Sequence, residues 1–149
     1  MNKIKKVYLI NFDKPLDESV IEEIKSHYTD IDELNVLNEK VSINFQKPLY
    51  IQCVDIRKKI ESENKEIFSG NYPIIVNLPG LSIAALYLVN EIEAILREKP
   101  KILELIRNKG KDKLFTSFEF KRIFDLDYNK NVSRNFVKQE KKPETSDEK

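Results

Sequence analysis

Ile74-Ile75-Val76 is the most apolar β-branched run in the chain. A run that is apolar at every position, rather than at alternate ones, belongs to a strand covered on both faces. Gly70-Asn71-Tyr72-Pro73 breaks the chain before it, and Asn77-Leu78-Pro79-Gly80-Leu81-Ser82 follows it directly. Ser82 stands where a helix N-cap belongs. The helix it opens is expected to run to about Arg97, with Ala85, Leu86, Leu88, Val89, Ile92, Ile95 and Leu96 on a wide apolar face and Pro100 barring its continuation. A face this broad calls for more than one neighbour, either within the domain or in a second copy.

The same strand-then-helix unit recurs along the chain. Val7-Tyr8-Leu9-Ile10 reads as a buried strand closed by Asn11-Phe12-Asp13-Lys14-Pro15. Asp17 is placed to cap a helix with Val20, Ile21, Ile24 and Tyr28 on one face. Between Thr29 and Phe45 both Leu34 to Leu37 and Val41 to Phe45 can extend. The second strand is assigned to Val41 to Phe45, where Val41, Ile43 and Phe45 alternate with polar Ser42 and Asn44. Leu49, Cys53, Ile56 and Ile60 then form a helical stripe, and Lys101 to Ile106 is the fourth strand, ended by Arg107-Asn108-Lys109-Gly110.

Strands alternating with helices long enough for right-handed crossovers predict an α/β fold, a small Rossmann-like, mostly parallel four-stranded sheet of order 2-1-3-4 with helices on both faces. The direction of the second strand stays open. This domain is expected over residues 1–110. A C-terminal extension over 111–137 contains a weakly alternating segment, Leu114 to Phe120, suited to an added edge strand or a lid. Arg122 to Phe136 has no clear period. Lys138 to Lys149 carries four positive and four negative residues and no large apolar one, the composition of a disordered tail.

Composition removes several functions. Of 149 residues, 49 are Leu, Ile, Val or Phe, enough for a real core despite 34% charged residues. Three glycines cannot supply a dinucleotide fingerprint or a P-loop at the required spacing. One His and one Cys cannot build a three-ligand zinc site, so neither metal nor cofactor is expected. A net charge of +1 leaves no footprint for duplex DNA or an anionic membrane. With no apolar stretch of about 20 residues and a lone thiol, a cytoplasmic protein is expected. His27 reads as a helix-end group, Cys53 as core, Asp30, Asp32 and Glu33 as a solvated turn, and Arg57, Lys58 and Lys59 as a solvated helix face.

What remains lies at the carboxyl ends of the strands, where open parallel sheets bind ligands at the point where crossovers diverge. With this strand order the crevice lies between the first and third strands, lined by Asn11, Phe12, Asp13, Lys14 and Pro15 from one loop and by Asn77, Leu78, Pro79, Gly80, Leu81 and Ser82 from the other. Gly80 allows close approach to the backbone, and N–H groups from Ser82 to Ala85 face an anion. Phe12 is suited to stack a base, and Asn11 and Asn77 to read adenine edges or ribose hydroxyls. The competing reading is a pair of tight strand-to-helix turns with no ligand. Lys14, Arg107 and Lys109 are the nearest cations, and no general acid or base is placed.

Asn11-Phe12-Asp13-Lys14-Pro15-Leu16 after a first strand, with Ile75-Val76-Asn77-Leu78-Pro79-Gly80-Leu81-Ser82 opening an alanine-bearing helix, resembles the small CRISPR-associated accessory proteins of the Csx-fifteen family. The resemblance runs from about Val7 to Arg107 and includes the Phe45-Gln46-Lys47-Pro48-Leu49 junction. It implies a ligand of the cyclic oligoadenylate class, the second messenger of type III CRISPR antiviral defence, with cyclic tetra-adenylate the favoured ring. Carried over, Asn11 and Phe12 belong to the first ligand loop and Asn77, Pro79, Gly80, Leu81 and Ser82 to the second. Asp13 departs from the small hydroxyl residue of the family pattern, and the C-terminal extension departs from its compact form. The expected function is sequestration of the messenger by a homodimer or higher homo-oligomer, with twofold symmetry around one ring. A ring nuclease using the ligand's own 2′-hydroxyl, or an adaptor acting through the C-terminal segment, are the alternatives.

Overall fold

The computed structural model describes residues 5–28, 30–109, 116–126 and 134–135. Among the described residues, five strands and three helices follow in the order β1 (Lys6–Asn11), α1 (Glu18–His27), β2 (Glu33–Asn38), α2 (Leu49–Glu63), β3 (Ile74–Asn77), α3 (Ser82–Leu96), β4 (Lys101–Lys109) and β5 (Thr116–Asp125). They form one sheet of order β2-β1-β3-β4-β5. The first four strands are parallel, which settles the direction of β2, and β5 joins the edge antiparallel to β4. The fold is α/β and Rossmann-like, with the expected order 2-1-3-4 extended by one strand.

Alternation along β1 divides the core. Tyr8 and Ile10 face α2 and α3 and pack with Cys53, Ile60, Leu88 and Ile92. Val7 and Leu9 face α1 and pack with Val20 and Ile24. In β3 all four residues are buried, as a central strand requires. Crossovers leaving β1 and β3 in opposite directions put α1 on one face and α3 on the other, so the switch point lies between β1 and β3.

Several boundaries differ from the sequence reading. The second strand is Glu33–Asn38, and Val41 to Phe45 lies in the connection to α2. Alternation at Val41, Ile43 and Phe45 is real, but the ladder partner decides: Val7, Leu9 and Asn11 pair with Leu34, Val36 and Asn38, and that pairing satisfies the backbone of β1. In the 41–48 connection Gln52 takes the place of a neighbouring strand, accepting from the Asn44 N–H at 2.8 Å and donating to the Asn44 carbonyl at 2.9 Å.

Leu81, not Ser82, is the N-cap of α3; Ser82 is its first helical residue and makes no side-chain cap bond. The helix ends at Leu96, and Arg97 takes the left-handed conformation, φ 64°, that closes it. Only one side of α3 meets the sheet. Ala84, Leu88 and Ile92 are buried, whereas Ile83, Leu86 and Tyr87 are exposed. Arg57 is no solvated charge: it ties α2 to α3 by a 3.0 Å ion pair with Glu91, while Lys58 and Lys59 are exposed.

The fourth strand runs to Lys109, three residues past Ile106. It pairs with β3 only at Lys101 and Ile102, so Leu103 is level with Asn77 and the next six residues continue about 20 Å beyond the sheet. The expected edge strand is present but starts at Thr116 and reaches Asp125, deep into the segment without a clear period. Together β4 and β5 make an arm standing past the carboxyl ends of the other strands. The tail expected over Lys138 to Lys149 lies outside the described residues.

Candidate functional site

Three asparagines end three neighbouring parallel strands in register: Asn11 on β1 pairs with Asn38 on β2 and with Asn77 on β3. Their side chains form one network. Asn11, fully buried, donates from Nδ2 to the carbonyl of Lys14 and to Oδ1 of Asn38, both at 2.9 Å. Its Oδ1 accepts from the Asp13 N–H at 3.1 Å and from Nδ2 of Asn77 at 2.9 Å. Every polar atom of the Asn11 amide is therefore used within the protein. Asn11 shapes the loop at the crevice and carries no free group for a ligand.

The loop so shaped, Asp13-Lys14-Pro15, stands between two cavities. The first, about 580 Å³, opens on the α2 and α3 side and is walled by the β2 to α2 connection and by Pro79, Gly80 and Leu81. The second, about 400 Å³, opens on the α1 side between that loop, Asn77 and the arm, to which Leu105, Arg107 and Phe118 belong. Arg107 and Phe118 are direct cross-strand partners, so the arm presents a guanidinium and an aromatic ring side by side.

The structure brings most of the expected residues together. Asp13 and Lys14 are exposed and line both cavities; Asn77 and Arg107 line the second. In the first, Pro79 is buried, Leu81 half-buried and Gly80 exposed at the wall. Ser82 is exposed at the start of α3 next to that wall. The Ala85 N–H is spent on the Leu81 carbonyl at 3.0 Å, which leaves the N–H groups of Ser82, Ile83 and Ala84 without acceptors among the described residues. The expected anion seat is thus three donors, not four. The Lys109 side chain lies outside the described residues.

Phe12 does not offer a stacking face. It is 3% exposed, packed in the core cluster, and reaches the cavity only as its floor. Phe45, 77% exposed at the mouth of the same cavity, is the free aromatic there. The strand assignment hid it, because a strand residue alternating with Val41 and Ile43 reads as core. Asn38, Lys40, Val41 and Ile43 line the cavity with it and were missed for the same reason. Lys14, Lys40 and Arg107 have no ion-pair partner among the described residues, and neither have Asp13 and Asp17.

The remaining candidates fall elsewhere. Cys53 is buried in the core, and burial, with the nearby Glu91 charge adding to it, pushes its thiol pKa up. His27 packs its ring against Tyr28 and Phe120 where α1 meets β5. Asp32 accepts from the Lys5 N–H, and Asp30 pairs with the Lys5 ammonium. No group of three or more His, Cys, Asp or Glu side chains among the described residues is arranged to hold a metal. None of the described helices is long and apolar enough to cross a membrane. Comparison with family models, curated proteins and solved structures finds no match to this chain.

Proposed function

We propose that this protein binds a cyclic oligoadenylate, cyclic tetra-adenylate foremost, at the carboxyl ends of β1 and β3, and sequesters the messenger intact in the cytoplasm as an accessory of type III CRISPR defence. The observation that carries this reading is the first cavity, at the switch point of the sheet. It has the volume of an ordinary ligand pocket, two lysines against one aspartate on its wall, and the free N–H groups of α3 at its edge. Phe45 adds an exposed ring to stack a base. Phosphate and base thus each have a matching group at this cavity.

A ring of four equivalent nucleotides exceeds one such cavity, so two copies of the crevice around one ring is the economical arrangement. Ile83 and Leu86, exposed on the first turn and a half of α3, lie beside the Gly80 wall. A twofold contact through them brings two cavities close to one axis. Sequestration rather than cleavage is favoured because the described cavity walls contain no His or Cys and only the Asp13 and Asp17 carboxylates as bases.

The test is titration of the full chain with cyclic tetra-adenylate by calorimetry, followed by denaturation and chromatography of the ligand. Tight binding, one ring per two chains, with the ring recovered intact is the expected result. Linear products make the protein a ring nuclease instead. Failure to bind any cyclic oligoadenylate removes the proposal.

A further inference from the structure

The asparagine network has a polarity, and two backbone groups set it. The Asn11 amide meets the Asp13 N–H, which only donates, and the Lys14 carbonyl, which only accepts. These contacts turn Oδ1 toward Asp13 and Nδ2 toward Lys14 and leave no alternative flip. The orientation then passes outward along the network. Asn38 must meet Nδ2 of Asn11 with its oxygen, and Asn77 must meet Oδ1 of Asn11 with its nitrogen. The NH2 group of Asn38 is left without an acceptor among the described residues. Asn77 is left with an oxygen that accepts from no group among the described residues.

That oxygen is in an unusual position. Asn77 is 7% exposed, and it lines the second cavity. A buried acceptor without a donor carries a desolvation cost that folded proteins rarely leave uncompensated. The same cavity holds the carboxylates of Asp13 and Asp17 and the cations Lys14 and Arg107, so it offers both acceptors and donors around the Asn77 oxygen. A ligand that places a hydrogen-bond donor beside a phosphate matches that mixture.

We infer that Asn77 is a specificity-determining residue: its Oδ1 accepts from a donor of the ligand in the α1-side cavity, a ribose 2′-hydroxyl or an adenine amino group. The inference rests on the proposed function and deepens it. Arg107 takes the phosphate next to the donating group, and Phe118 covers the sugar or base from the arm. A site built around a hydrogen bond rejects the analogue that lacks it, because the protein group is then left buried and unpaired.

Three rings decide the matter: cyclic tetra-adenylate, the same ring built on 2′-deoxyribose, and the ring of four inosines, in which an oxygen replaces each amino group. Calorimetry with the full-length wild-type chain is expected to show one analogue weaker than the adenylate ring by on the order of tenfold or more. The deoxy ring identifies the hydroxyl as the donor and the inosine ring the amino group. In Asn77→Leu, with Asn77→Ser as a second variant should the first not fold, the same gap is expected to shrink to within about threefold. Equal binding of all three rings to wild type overturns the inference and leaves the proposed function standing. A gap that persists undiminished in the variants overturns it as well. Binding of none of the rings overturns the proposed function, and the role of Asn77 falls with it.

Discussion

The side-chain oxygen of Asn11 accepts a hydrogen bond from the Asn77 amide at 2.9 Å, linking residues sixty-six positions apart at the ends of adjacent strands. Asn11 is fully buried, and this bond is one of four by which a single amide fixes the carboxyl edge of the sheet. Removing that amide leaves the Asn77 nitrogen, the Asn38 oxygen and two backbone groups of the loop without their partner.

Asn11→Ala is therefore expected to destabilise the fold by about 1–3 kcal/mol, the usual cost of leaving buried polar groups unmade. Urea denaturation measures it as a lower midpoint at unchanged slope. Ligand affinity is expected to fall too, since the Asp13-Lys14-Pro15 loop loses its anchor. A midpoint equal to that of wild type would show that water replaces the amide and that the network does not hold the loop.

Phe45 gives a contrasting case, because its ring is mostly in solvent and contributes little to the core. The loop that carries it is held from behind by Gln52, which bonds Asn44 in both directions. Phe45→Ala is expected to leave the melting temperature within a degree or two, on the order of the scatter for surface substitutions, and to weaken cyclic tetra-adenylate binding by about 1–3 kcal/mol. Calorimetry and a thermal melt on the same sample separate the two. Unchanged affinity would mean that the ring faces a protein partner or solvent rather than a base.

How far the fold could be read in advance depended on whether each segment carried its own signal. Ile74 to Val76 and the Leu49, Cys53, Ile56, Ile60 stripe announce themselves by apolar pattern alone, and both appear where expected. Leu34 to Leu37 does not, because an edge strand is only half covered and its pattern is weak; the neighbouring alternation at Val41 to Phe45 was louder and wrong. That single exchange concealed Asn38 and Phe45, and with them half of the first cavity. The asparagine network was equally hidden. Asn11, Asn38 and Asn77 are each an ordinary strand-end residue, and only the register of three parallel strands reveals that they meet. Arg107 was legible as a cation near the site, but not its pairing with Phe118, which depends on how far β4 outruns β3.

The arm itself offers a pH test at its base. The register of β5 slips between Glu104 and Leu105, so that Arg122 stands opposite Glu104 and Phe120 opposite Leu105, with Lys121 the extra residue. The slip lets two successive cations reach one carboxylate: Arg122 at 2.6 Å and Lys121 at 3.0 Å. The Arg122 hydrogen bond first, and the Lys121 one after it, hold the Glu104 carboxyl below its ordinary range. A depressed folded-state pKa gives stability that is present above the unfolded value and lost as pH falls through the folded one. Glu104→Gln is thus expected to lower the melting temperature slightly at neutral pH, by an amount kept small by solvent screening. The difference should vanish in strongly acidic buffer. A gap of the same size at both ends would assign the effect to packing rather than to charge.

Gly80 separates fold from ligand most cleanly. A Cβ built there meets nothing within 4 Å, and its backbone is outside the left-handed region that would reserve the position for glycine. The chain itself therefore has no steric need of glycine, yet the position forms the wall of the first cavity beside the free N–H groups of α3. Gly80→Val is expected to melt close to wild type and to lose most of its affinity for cyclic tetra-adenylate, because the added methyls stand where a phosphate must approach the backbone. A smaller step, Gly80→Ala, should give an intermediate loss, since one methyl shortens the approach without closing it. Full affinity in Gly80→Val would place the ligand away from this loop. The second cavity, between Asn77 and the arm, would then be the seat to test next.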